Sequence, residues 1–230
     1  MKNILLISTS GRAAGAAVCR GGEVVRSKLS DNGLTHSETI MPLIDGLFDD
    51  EIKLCDMDAV CADVGPGSFT GVRIGISTAK GLARGANVPL LGVSTLDACA
   101  WTAWKAGVRG KLGILADAMR GEVYPALYML VDEGPERLFQ RERVVKAAVA
   151  LDEWRQAADW DQVQLTGDGL VRYGKLLGED EAARCVERDL WWPSGEGLIL
   201  AHAAGDGDPA RVLPIYTRLS DAEELSLIHI

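Results

Sequence analysis

The sequence predicts an α/β protein built of two similar lobes. Three observations carry that reading. Short apolar runs alternate with segments of helical period, and a strand followed by a hairpin occurs at the start and recurs near residue 112. The 230 residues are 47% hydrophobic with 26 glycines, enough for one large core or two modest ones joined by many tight turns.

Residues 3–8 form an apolar run closed by Thr9, Ser10 and Gly11, and residues 15–20 and 22–29 read as two further strands about Gly21 and Gly22. Thr35-His36-Ser37-Glu38 then has the Thr-to-Glu spacing of a capping box, ahead of Ile40, Leu43, Ile44 and Leu47 at helical period. That predicts a helix of about three turns. Met41 and Phe48 lie about 100° off this buried stripe. They are either anchors for a partner or the edge of a broad core face. Asp58–Val64 is a buried-type strand that empties into Gly65-Pro66-Gly67-Ser68-Phe69-Thr70-Gly71, followed by a helix to about Ala86 and a strand over 88–93.

Residues 94–106 are predicted helical, with Ser94 and Thr95 as caps and Leu96, Cys99, Ala100 and Ala103 on one face. The opening pattern then returns: Leu112–Leu115 is apolar, Asp117 ends it, Met119-Arg120-Gly121 turns, and Val123–Val131 runs back. This places a lobe boundary near residue 107, with 1–107 holding the glycine loop and 108–224 forming a smaller, acidic lobe whose C-terminal segment has the option of packing back on the first. Further on, Ala147–Trp154 and Glu179–Cys185 read as helices, Val163–Thr166 as a strand and Gly167-Asp168-Gly169 as a turn. The apolar residues 225–230 are either a docking strand or a tail foreign to the natural protein.

Charge narrows the function. The net charge is -9, and it is uneven: residues 1–107 carry 10 basic and 11 acidic side chains, residues 108–230 carry 14 and 22. The acidic half would repel a phosphate backbone, so any work on RNA is expected to pass through a partner. The five cysteines, at 19, 55, 61, 99 and 185, contain no C-x-x-C pair, which argues against a disulfide framework or zinc knuckle and for reduced thiols. The apolar run after Lys2 is too short for a signal-peptide core or a membrane span, and no later stretch is long enough either. A soluble cytoplasmic protein is expected.

A strand ending in Gly-Pro-Gly-Ser-x-Thr-Gly before a helix has two physical uses. Its amides could cradle a phosphate, with Thr9, Ser10, Gly65, Gly67, Ser68, Thr70 and Gly71 forming a vestigial nucleotide loop. The Walker lysine is missing, because Arg73 and Lys80 lie one and three turns into the helix instead. Alternatively the glycines serve packing: Gly71, Gly75 and Ala79 make a small-residue stripe that lets another element approach closely. Packing is the favoured reading.

The run from Gly65 to Ala83, GPGSFTGVRIGISTAKGLA, closely resembles the signature of TsaB (YeaZ) proteins. Thr35–Glu38, Pro89–Leu96 and Asp117–Tyr124 match the same family in order, and Pro214-Ile-Tyr-Thr-Arg218 resembles its closing Pro-x-Tyr-x-Arg segment. The match is dense over residues 3–128 and sparse from there to 213. The resemblance implies an actin-like (ASKHA, ribonuclease H-like) two-lobed fold of mixed sheets flanked by helices. It also implies a non-catalytic subunit for making threonylcarbamoyladenosine on tRNA, one that pairs with the catalytic subunit TsaD, is joined by the ATPase TsaE, and meets tRNA only through the complex. Carried onto this chain, the partner surface covers residues 36–48 and 71–85, with His36, Ile40, Met41, Ile44 and Phe48 on one helix and Gly71, Val72, Gly75 and Ala79 on the next. A homodimer would use the same two helices.

Catalysis lacks its parts. The catalytic relative carries two metal-binding histidines four residues apart where this chain has Thr95 and Cys99, so no metal and no cofactor are expected. In actin-like ATPases an Asp ends the first strand; here the strand ends in Ser8-Thr9-Ser10. Asp117 holds the mirrored position, where capping a hairpin turn is the favoured role. Of His36, His202 and His229, His36 sits in a capping box, and no G-x-S-x-G or H-E-x-x-H motif is present. The leading reading is a scaffold subunit; the alternative is an actin-like nucleotide-dependent phosphotransferase or ATPase.

Overall fold

Two five-stranded mixed sheets organise the chain. The computed structural model describes residues 2–31, 35–138, 143–204 and 212–215. In the first sheet, β1 (Asn3–Ser8), β2 (Ala14–Arg20) and β3 (Glu23–Ser30) form an antiparallel meander, and β4 (Ala59–Asp63) and β5 (Leu90–Val93) add in parallel on the other side of β1. The spatial order is β3-β2-β1-β4-β5. Two helices return the chain on one face. α1 (His36–Asp45) starts from the Thr35 capping box, and α2 (Phe69–Ala86) is capped by Ser68, whose hydroxyl accepts the Gly71 N–H at 3.2 Å.

α3 (Thr95–Lys105) then crosses to the second sheet, built from β6 (Gly110–Asp117), β7 (Glu122–Val131), β8 (Gly134–Arg137), the two-residue β9 (Val145–Lys146) and β10 (Gln164–Thr166). β6 and β7 are antiparallel, and β10 lies parallel to β6 as β4 does to β1. The order β10-β6-β7-β8 therefore repeats the plan β4-β1-β2-β3 of the first sheet. α4 (Ala147–Arg155), α5 (Gly169–Tyr173) and α6 (Glu179–Ala183) follow, and α7 (Gly195–Ala204) closes the described chain apart from residues 212–215. The expected segments over 147–154, 163–166 and 179–185 are matched by α4, β10 and α6.

Four apolar clusters explain these placements. On one face of the first sheet Leu5, Ile7 and Val60 pack on Ile40, Ile44 and Ala79 of α1 and α2. On its other face Leu6, Ala17 and Cys61 meet Leu198, Ile199 and Ala201 of α7 and Ala98 of α3. The opposite side of α3, with Leu96, Cys99, Ala100 and Ala103, buries Leu112, Ile114 and Tyr128 of the second sheet. Leu151 and Trp154 of α4, with Leu170 of α5, cover that sheet's remaining face, where they meet Leu115, Val123 and Leu165. α3 is thus wedged between the sheets, and the C-terminal helix completes the core of the N-terminal one.

The partner-facing reading of several side chains needs correction. Ile40 and Ile44 are 1% and 2% exposed because they are the core stripe of α1. Gly71, Gly75, Val72 and Ala79 are likewise turned inward, since that face of α2 lies on β1 and β4. A Cβ on Gly71 would strike the Thr9 carbonyl, and one on Gly75 the Thr9 hydroxyl. The small-residue stripe serves this chain's own close packing. Phe48, just beyond α1, is half-buried against the same core, whereas Met41 is exposed.

Candidate functional site: the cleft between the lobes

The first turns of the two sheets face each other across a cleft of about 180 Å³ lined by Ser10, Arg12, His36 and Ser68 from one side and by Asp117, Met119, Asp168 and Arg172 from the other. Its floor continues past Pro66, Gly67, Thr95 and Cys99 to Trp191 and Trp192. These residues come together because β1 and β6 each empty into a short polar turn, and Asp168 of the second side accepts the Arg12 amide of the first.

On the first side the principal group is one that sequence reasoning passes over. Asp63, the last residue of β4, is fully buried, and the residues at the end of β1 wrap around it. Ser8 Oγ donates to its Oδ2 at 2.6 Å, Ser10 Oγ donates to the same oxygen, and the Thr9 amide reaches Oδ1 at 3.3 Å. Thr95 Oγ1 donates to Ser10 Oγ at 2.9 Å, which extends the network to α3. Burial pushes the Asp63 carboxyl up, and these hydrogen bonds oppose that rise without cancelling it. The sequence signal is a single acid among Ala59, Val60, Cys61 and Ala62, in a strand too apolar to leave it in water.

The glycine loop closes on the same turn. The Ser68 amide donates to the Ser10 carbonyl at 2.6 Å, Thr9 Oγ1 donates to the Gly71 carbonyl at 2.8 Å, and a Cβ on Gly67 would overlap the Ser10 carbonyl. The Thr95 amide donates to the Gly65 carbonyl at 2.8 Å. Residues 65–71 are therefore a packing element laid on Thr9 and Ser10, with Ser68 spent as a helix cap and Thr70 exposed on the first turn.

Across the cleft, Asp117 caps its own turn, accepting the Met119 amide at 2.8 Å, and its carboxylate also holds Arg172 at 2.8 Å and the Tyr173 hydroxyl at 3.1 Å. Asp168 is buried, accepting the amides of Asp117 and Arg12 at 2.8 Å each, yet burial pushes it up to about 6. His36 joins the cleft at the start of α1, where its Nε2 lies 2.8 Å from the Gly11 carbonyl. Thr95 and Cys99 are both buried, and the Cys99 thiol is raised well above its usual range by burial and then by Asp168. Burial also lifts Cys61, to about 12. Neither thiol is primed as a nucleophile. Among the described residues no group of three or more His, Cys, Asp and Glu side chains is placed to hold a metal ion, and no helix is long and apolar enough to cross a membrane.

Two sheets of one plan, facing across a cleft between their first turns, define an actin-like (ASKHA, ribonuclease H-like) protein. The sequence profile of TsaD, described as tRNA N6-adenosine threonylcarbamoyltransferase, matches residues 31–158. The tRNA threonylcarbamoyladenosine biosynthesis protein TsaB of Escherichia coli (strain K12) is 36% identical over 198 residues, 85% of this chain and 84% of that protein. The TsaB of Bacillus subtilis (strain 168) is 33% identical with 96% of both chains covered. Among solved structures, YeaZ from Pseudomonas aeruginosa superposes with a TM-score of 0.73 at 28% identity, covering 94% of this chain and all of that one. The chain belongs to the TsaB (YeaZ) family.

Of the closing Pro-x-Tyr-x-Arg segment only Pro214 and Ile215 are described, and the Ile215 amide donates to the Val64 carbonyl at 2.8 Å. Residues 216–218, the tail 225–230 and His229 lie outside the described residues.

Proposed function

We propose that this chain is a non-catalytic scaffold subunit in tRNA threonylcarbamoyladenosine biosynthesis, the process named in its relatives. In this reading it pairs with TsaD, is joined by TsaE, and supports threonylcarbamoyl transfer to the adenosine next to the anticodon of tRNA. The observation that carries the word non-catalytic is the closure of the glycine loop. The hydroxyls and amide that would face a phosphate, on Ser8, Thr9 and Ser10, are turned onto Asp63, and the Ser68 amide is bonded to Ser10. A phosphate would have to displace bonds already made inside the protein.

The partner face is best supported on the outer sides of α1 and α2. Met41 is 48% exposed and Phe69 is 37% exposed, a pair of apolar anchors on neighbouring helices. Along α2 the cations Arg73, Lys80 and Arg84 fall on one stripe, and residues 69–86 contain no acid. Such a face suits an acidic helical surface. The test is reconstitution of the modification from TsaD, TsaE, a threonylcarbamoyl-adenylate source and tRNA, with single omissions. The chain alone should neither hydrolyse ATP nor modify tRNA, and its omission should abolish product; unchanged product without it overturns the scaffold reading.

A further inference from the structure

Asp168 joins the two lobes through main-chain bonds. Its Oδ1 accepts the amide of Asp117 at the end of β6, and its Oδ2 accepts the amide of Arg12 in the turn between β1 and β2, both at 2.8 Å. The first-lobe side of this junction runs straight to α1, because the carbonyl of Gly11 is 2.8 Å from Nε2 of His36, the first residue of that helix. A carboxylate in the cleft is thus three links from the start of the helix that carries Met41. We propose that Asp168 is a latch between the lobes, and that its state passes through Gly11, Arg12 and His36 to α1, so that the opening of the cleft tunes pairing with TsaD. The coupling to pairing rests on the reading of α1 and α2 as the partner face; the latch itself does not.

The charged neighbours of Asp168 define what the latch responds to. From the β1–β2 turn, the Arg12 guanidinium is directed at Asp31 at 2.8 Å, and Arg188 approaches Asp31 at 3.6 Å. From β6 and α5, Asp117 holds Arg172 and Tyr173. α1 contributes His36 and α3 contributes Cys99. Arg12 and Arg172 are each committed to another carboxylate, so Asp168 is held by two amides against a large desolvation cost. Its proton is kept up to about 6 by burial, against an ordinary value of 3.8. An opened cleft lets water reach the carboxyl and returns it toward that ordinary value. The closed form therefore binds the proton more tightly: protonation favours closure, and the cleft loosens as pH rises through about 6.

The test uses the full chain, free and with TsaD. Hydrogen exchange of the Arg12 and Asp117 amides, corrected for intrinsic rates, should lose protection by about tenfold between about pH 5 and about pH 8. Over the same range the pairing Kd should rise about fivefold. Asp168→Asn, neutral throughout, should flatten both profiles. A flat exchange profile in the unmodified chain overturns the latch and needs no variant to be read. A pH step in pairing that survives in Asp168→Asn has an origin other than Asp168 and overturns the coupling. Absence of pairing at every pH overturns the partner reading, while the exchange profile still decides the latch.

Discussion

At the scale of single residues, the end of β1 is organised around a buried acid. Replacing Asp63 by Ala leaves the Ser8 and Ser10 hydroxyls and the Thr9 amide without their acceptor, and should cost about 3 kcal/mol, read from the urea midpoint at constant slope. Asp63→Asn keeps the volume and one acceptor and should cost about 1 kcal/mol; equal losses would mean that the hydroxyl cage is not what the carboxyl supports. Acid titration gives a second expectation. Asp168 has its folded value raised from 3.8 to about 6, so the folded protein retains a proton that the unfolded chain has released. Stability from this group is present at low pH and falls by about 1.4 kcal/mol per unit as pH rises through that window. Glu181 runs the other way: paired with Arg155 and lowered from 4.5 to about 2, it stabilises above its unfolded value and loses that contribution as pH falls. Urea midpoints should therefore decline as pH rises through about 4.5 to 6.5, and Asp168→Asn should make that decline shallower, the part that remains belonging to the likewise raised Asp63. Of this site, Ser8, Ser10, Thr95 and Asp117 are visible in the sequence as polar residues at strand and helix ends. Asp63 shows only as the one acid of an apolar strand, and Asp168 not at all, because only the fold tells how completely an acid loses its water.

Among the elements, those with a local signature are legible. α1 follows from the Thr35–Glu38 box, α2 from the glycine loop and its cap, and the face of α3 from Leu96, Cys99, Ala100 and Ala103. α7 is missed for a physical reason: Gly195-Glu-Gly-Leu-Ile-Leu-Ala-His-Ala-Ala204 is apolar nearly all round, since it packs on both the first sheet and α3, and so it has no amphipathic period. The two faces of α2 predict different outcomes. Gly75→Leu must displace Thr9 from under the helix and should destabilise the fold by several kcal/mol, seen as a lower Tm or loss of soluble protein. The double charge reversal Lys80→Glu with Arg84→Glu, on the outer face, should leave Tm within about 2 °C and weaken TsaD pairing at least about tenfold in a pull-down titration at low salt. Equal damage to Tm by both variants would count against the division of the helix into a core side and a partner side.

The whole molecule repeats one plan, and that repetition is legible in the sequence as two strand-hairpin units beginning at residues 3 and 112. What the sequence does not display is how the halves interlock, because the contacts between α7 and the first sheet join residues nearly two hundred positions apart. A chain cut after residue 107 lacks α7 and exposes Leu6, Ala17 and Cys61 on one sheet face. Such a fragment is expected to be insoluble or to bind a hydrophobic dye more strongly than the whole chain; a soluble, cooperatively unfolding fragment would refute this dependence. The same interlock bears on synthesis. As the polypeptide leaves the ribosome, the first sheet can form early but cannot be sealed until residues 195–204 emerge, so between its own synthesis and theirs it carries an open apolar surface. Its folding yield in the cell should depend on chaperones that shield that face more than on the intrinsic speed of either sheet.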